Sequence, residues 1–114
     1  MKFILITSLL LFAQITGSAQ TQLEMNMQSA ADAKKADAEM TTVYKKAMAA
    51  QNEKGKKLLL EAQRAWIKYK EAHCTSVANA LEGGSAQPLI YNSCILELTK
   101  ARTKELEALM EDGN

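Results

Sequence analysis

The sequence is poor in the residues that most chemistry requires. One histidine, two cysteines, one tryptophan and one proline occur in 114 residues, and aromatic side chains make up only 5%. A single histidine excludes a di-iron bundle, which needs two Glu-x-x-His pairs, and any metal site built on paired histidines. There is no Cys-x-x-Cys pair, and Gly83-Gly84-Ser85 lacks the length and the following Lys-Ser/Thr of a phosphate-binding loop. One proline and five glycines exclude collagen-like and Pro-rich linker architectures. Charge of one sign is also missing, with 14 Lys+Arg against 13 Asp+Glu. Such a balance gives neither nucleic acid nor an anionic membrane a reason to bind. The length allows one domain.

What is present begins with an export signal. Lys2 precedes the apolar run Phe3 to Ala13, and the polar stretch Gln14 to Ser18 ends in Gly17-Ser18-Ala19. Small residues at the positions a signal peptidase reads place cleavage after Ala19. The apolar run is about half the ~20 residues needed to cross hydrocarbon, so no membrane span remains after cleavage. Residues 1–19 are therefore expected to be a signal peptide, and residues 20–114 a mature domain in the periplasm or outside the cell. Loss of Lys2 leaves 13 basic against 13 acidic groups, a net charge of zero.

Hydrophobic periodicity in the mature chain predicts three helices and no strand. In the first, from about Thr21 or Leu23 to Ala50, Ala36, Met40, Val43, Tyr44 and Ala47 follow the helical repeat, with Leu23, Met27 and Ala30 extending it backwards. Asn52-Glu53-Lys54-Gly55 reads as a short turn, which sets neighbouring helices antiparallel. The second helix, from about Lys56 to Leu81, carries the line Leu58/Leu59, Ala62, Ala65/Trp66, Tyr69, His73, Val77 and Leu81. Gly83-Gly84 ends it, and Ser85 and Pro88 suit the start of the third helix. There Tyr91, Ile95, Leu98, Ala101/Arg102, Glu105/Leu106 and Leu109 form a noisier stripe. The expected fold is an all-α antiparallel three-helix bundle. Its expected core is Trp66, Tyr69, Tyr44, Ile95 and Leu98, with Trp66 at the centre.

Cys74 lies seven residues before the expected end of the second helix, and Cys94 six residues into the third. At 1.5 Å per residue both thiols stand ~10 Å from the connecting loop, at the same height in a hairpin. Export to an oxidising compartment then favours one structural disulfide, Cys74–Cys94. The alternative is a reactive Cys74 thiol activated by His73. Sequence neighbours on a helix point about 100° apart, which does not bring them into contact. No catalytic, cofactor-binding or metal-ligating constellation follows from the residues. Glu61, Glu71, Glu97 and Glu105 read as exposed helix-face charges, and methionines such as Met25 and Met27 as apolar filling. The lysines at 34–35, 45–46, 54 and 56–57 read as a solvated face.

Three segments together resemble one bacterial family, the lysozyme inhibitor LprI-like N-terminal domain. Ala36 to Lys46 is similar to its first-helix pattern. Ala62-Gln63-Arg64-Ala65-Trp66-Ile67-Lys68-Tyr69-Lys70-Glu71-Ala72-His73-Cys74 resembles its most specific element, Gln-Arg-x-Trp-x-x-Tyr-(Arg/Lys)-(Asp/Glu)-x-x-Cys. Gly83 through Cys94 to Leu106 looks like its closing part. Two departures stand out: Met27-Gln28-Ser29-Ala30 lacks a cysteine common near the first helix, and His73 replaces a commonly acidic residue. The resemblance implies a small exported, non-enzymatic module without a cofactor. Its implied partner is a protein, such as a lysozyme or another wall-degrading enzyme. With zero net charge to steer it, binding has to come from a local patch, the acidic third helix or the Gly83–Pro88 loop. A structural or stress-related periplasmic interaction domain without inhibition fits the same residues.

Overall fold

The computed structural model describes the backbone of residues 2–112 and the side chains of residues 21–111. The expected signal peptide, residues 1–19, lies outside the described side chains. Three helices account for nearly all of the chain: α1 (Lys2–Ala49), α2 (Glu53–Ala78) and α3 (Gln87–Asp112), with a single 3-10 turn at Asn79–Leu81. Among the described residues no helix is long and apolar enough to cross a membrane.

The breaks between helices have local causes. Asn52 adopts an extended backbone, and its side chain accepts from the Gly55 amide at 2.8 Å, capping α2. The helix therefore begins at Glu53, three residues before the position periodicity suggests, and Glu53 places a negative charge in its first turn. At the other end the helix tightens to a 3-10 turn, and Gly83 takes a left-handed φ of 77° that other residues resist. Pro88 falls in the first turn of α3, where its missing amide costs nothing. Ser85, expected as a cap, offers its carbonyl to Asn26 Nδ2 of α1 at 2.9 Å.

α3 is the shared helix. Its contacts with α1 are the most extensive in the fold and those with α2 come next, whereas α1 and α2 touch little. On α1 the residues turned inward are Ser29, Ala33, Ala36, Met40 and Ala47, mostly small, so α3 approaches closely. Ser29 Oγ accepts from Asn92 Nδ2 across this contact at 3.3 Å. Going up α1, Asn26, Ser29 and Met40 meet partners progressively further along the chain: Ser85 just before α3, then Asn92 and, within one apolar cluster, Leu106 of α3. Along α2 the order is reversed: Cys74 is bonded to Cys94, Gln63 meets Arg102, and Leu59 shares the cluster with Leu106.

The core is concentrated at the α1–α2 turn. Met40, Ala47, Leu59 and Leu106 are buried together, and Val43, Tyr44, Met48, Trp66 and Met110 pack around them half-buried. Ile95 and Leu98 are half-buried on α3. Three expectations need correction. Trp66 packs half-buried against the cluster rather than at its centre. Tyr69 is 55% exposed, outside the core, and Leu23 and Met27 are 59% and 64% exposed. In the latter two cases the inward face lies about a third of a turn away. On α2 it comprises Leu59, Gln63, Lys70, Cys74 and Ala78, with Trp66 on the same side.

Two stability measurements follow. Trp66→Ala removes a half-buried indole from the edge of the cluster and should cost about 3 kcal/mol in chemical denaturation, at the low end for tryptophan. Cys74→Ser with Cys94→Ser opens a loop whose ends are 20 residues apart. That should cost about 3 kcal/mol in the chain-entropy model. An undiminished midpoint under non-reducing conditions would show that the bridge adds nothing.

Candidate functional site

The most specific part of the sequence, Gln63 to Cys74, divides between two faces of α2. Its inward residues form a polar seam. Gln63, only 6% exposed, donates to Met40 Sδ at 3.7 Å, and its carbonyl accepts from Arg102 Nε at 3.0 Å, so one side chain joins all three helices. The Arg102 guanidinium lies 6.0 Å from the centre of the Trp66 ring and also donates to Glu105 at 3.0 Å. On the same ring Lys70, 8% exposed, places its ammonium 4.8 Å from the centroid. Its stem lines the interface and the electron-rich ring face stabilises its charge, which explains a buried lysine without an acidic partner. About three helical turns are thereby fixed by Gln63, Trp66, Lys70 and Cys74 together.

The disulfide closes this seam near the α2–α3 connection. Cys74 and Cys94 are bonded with their Cα atoms 5.5 Å apart, within the usual range for such bridges. Both cysteines of the chain are consumed, so His73 has no thiol to activate. His73 is exposed and stacks on Tyr69, with ring centroids 5.3 Å apart. Among the described residues no group of three His, Cys, Asp or Glu side chains could hold a metal ion. The concavities are shallow grooves between helices. One, of about 280 Å³, lies beside the bridge between His73, Val77, Ile90, Glu97 and Leu98.

The outward face of α2 is a second apolar line that no other helix covers. Leu58, Ala62, Ala65, Tyr69, Val77 and Leu81 are all exposed. The α2–α3 loop is, by contrast, tightly held. Gly84 N–H donates to Leu81 O at 2.9 Å, Gly83 N–H to the Gln87 side chain at 3.3 Å, and Asn26 pins Ser85. A loop so restrained presents Glu82, Ser85 and Pro88 in one arrangement.

The inward seam and the bridge occupy the positions of the resembled pattern, and comparison with known proteins agrees. The family profile for lysozyme inhibitor LprI matches residues 14–106. The chain belongs to this family. A curated relative, an uncharacterized protein of Rhizobium meliloti (strain 1021), is 35% identical over 108 residues, covering 83% of this chain and 78% of the relative. No solved structure matches. The matched region spans the α2 seam and the bridge, so the most specific residues of this LprI family member are first of all those that hold α2 on α3.

The seam gives a test of its own. Gln63→Leu keeps the volume but leaves the Arg102 Nε donor without its acceptor inside the bundle. A loss of about 1–3 kcal/mol is expected from such an unsatisfied group. The paired change Gln63→Leu with Arg102→Met should recover part of it, and denaturant midpoints of the three variants would check this.

Proposed function

We propose that this chain is an exported, non-enzymatic protein-binding module of the lysozyme-inhibitor type, cut after Ala19 and acting in the periplasm or outside the cell. The observation that carries this reading is membership of the LprI family across residues 14–106. The chemistry of the site is consistent with it. The single histidine is surface-exposed and both cysteines are bonded, so binding is the activity these side chains favour.

The contact edge in this reading is the α2–α3 loop with the adjoining end of α2. Leu81, Glu82, Ser85 and Pro88 are exposed there, on a backbone held by the Gly84–Leu81, Gly83–Gln87 and Asn26–Ser85 hydrogen bonds and the nearby disulfide. A preorganised edge loses little conformational entropy on binding. The zero net charge of residues 20–114 gives little long-range steering toward a basic lysozyme, so affinity rests on short-range fit at this edge.

Purified residues 20–114 should slow lysozyme acting on cell-wall substrate, and Ser85→Arg should weaken that effect at least tenfold without moving the melting temperature. Unchanged turnover at large molar excess, with both animal and bacterial lysozymes, overturns inhibition. Enrichment of other envelope proteins in its place would identify an interaction domain of a different kind. Exported chain that does not begin at Gln20 would overturn the cleavage site.

A further inference from the structure

The outward face of α2 has the pattern of a surface made to meet itself. We propose that the exposed strip from Gly55 to Ala72 pairs antiparallel with the same strip of a second copy of this chain, forming a two-fold dimer. This is independent of any lysozyme binding and uses a different face from the α2–α3 loop.

Three observations point to a second copy. The first is shape. Tyr69 projects at 55% exposure, its ring held by stacking on His73. Eleven residues earlier, or ~16 Å along the helix, a groove of about 360 Å³ opens between Gln51, Gly55, Leu58, Ala62, Arg102 and Leu109. In an antiparallel pair with its two-fold axis between Gln63 and Arg64, Tyr69 of each copy falls at the Leu58 groove of the other. Between these two contacts the small residues Ala62 and Ala65 face each other, and Ala72 falls opposite Gly55. A two-fold contact requires such reciprocity, each knob meeting the other copy's hole.

The second is charge. On the solvent side of the strip stand Lys57, Glu61, Lys68 and Glu71, all exposed and none in an ion pair within the chain. The same axis brings Glu61 against Lys68 of the second copy and Lys57 against its Glu71. Symmetry doubles both, giving four opposite-charge pairs within two residues of exact register, against two Lys57–Lys68 approaches at the same offset, so attraction outweighs repulsion.

The third is an unmet donor. Arg102 gives Nε to Gln63 and Nη1 to Glu105, but its Nη2 is buried and has no partner. Arg102 lines the groove that receives Tyr69 of the second copy, whose hydroxyl oxygen can accept that hydrogen bond once the guanidinium turns its buried Nη2 toward the groove. Buried donors without acceptors are uncommon enough to indicate a missing group.

The strip is only ~26 Å long, shorter than a standard interface of ~800 Å² per partner demands, so the dimer should be weak, with Kd on the order of 10 µM. Sedimentation equilibrium of residues 20–114 from 1 to 500 µM should show the mass rising from one chain toward two. Tyr69→Ser, at an exposed position, should keep the helical circular dichroism and weaken association at least tenfold. Lys68→Glu should weaken it similarly by facing Glu61 of the second copy, and adding Glu61→Lys should restore it. A single-chain mass at 500 µM overturns the proposal, as does association that neither Tyr69→Ser nor Lys68→Glu affects. Failure of the charge swap to restore association overturns this pairing. If the chain stays monomeric while Tyr69→Ser abolishes lysozyme inhibition, the face belongs to a foreign partner and self-association is rejected.

Discussion

The Cys74–Cys94 bond fixes how α2 lies on α3, and most of the packing depends on it. A covalent link between two helices settles both the height and the rotation of each at that point. With Cys74 turned toward α3, the residues at four, eleven and fifteen positions before it, Lys70, Gln63 and Leu59, are carried to the same side of the helix. Gln63 then reaches Arg102, and Leu59 enters the cluster with Met40, Ala47 and Leu106. The bridge and the cluster sit near opposite ends of the α2–α3 contact, with the polar seam between them.

This division of labour suits a domain with so few large apolar residues. α1 meets α3 chiefly through alanine and serine, which permit close approach but bury little area per residue. Stability must therefore come from elements that do not scale with core size. A disulfide acts by restricting the unfolded chain, and Gln63 joins three helices through directional contacts. Small exported domains often compensate a thin core in this way.

The helices, their breaks at Asn52 and Gly83, and the pairing of the cysteines were legible from the sequence. The rotation of α2 was not. Hydrophobicity favours the line through Ala62, Tyr69, His73 and Val77, because the true inward face carries a glutamine and a lysine. Both are buried for reasons hydropathy does not register: Gln63 is satisfied on two sides, and Lys70 lays its charge over Trp66. The signal that could have settled the rotation was Cys74, since a cysteine bonded to α3 must face α3. Counting back from it gives Lys70, Gln63 and Leu59 directly. On α1 the same error arises from Leu23 and Met27, which attract attention by size, while the small Ser29 and Ala33 make the contact.

The two faces of α2 also explain why family membership conveys architecture more readily than activity. Gln63, Trp66, Lys70 and Cys74 all have structural partners inside the bundle. Arg64, Tyr69 and His73 belong to the same stretch but are exposed, and the aromatic ring of Tyr69 stacks on its surface neighbour His73 rather than entering the core. Exposed aromatic side chains add area to a partner's surface at small entropic cost, whereas an alanine there would serve the isolated bundle equally well. The pattern that identifies the family thus contains a scaffold half and a surface half interleaved at helical spacing. The surface half and the restrained α2–α3 loop are the parts that the bundle's own packing does not use, and so the parts on which the proposed binding can draw.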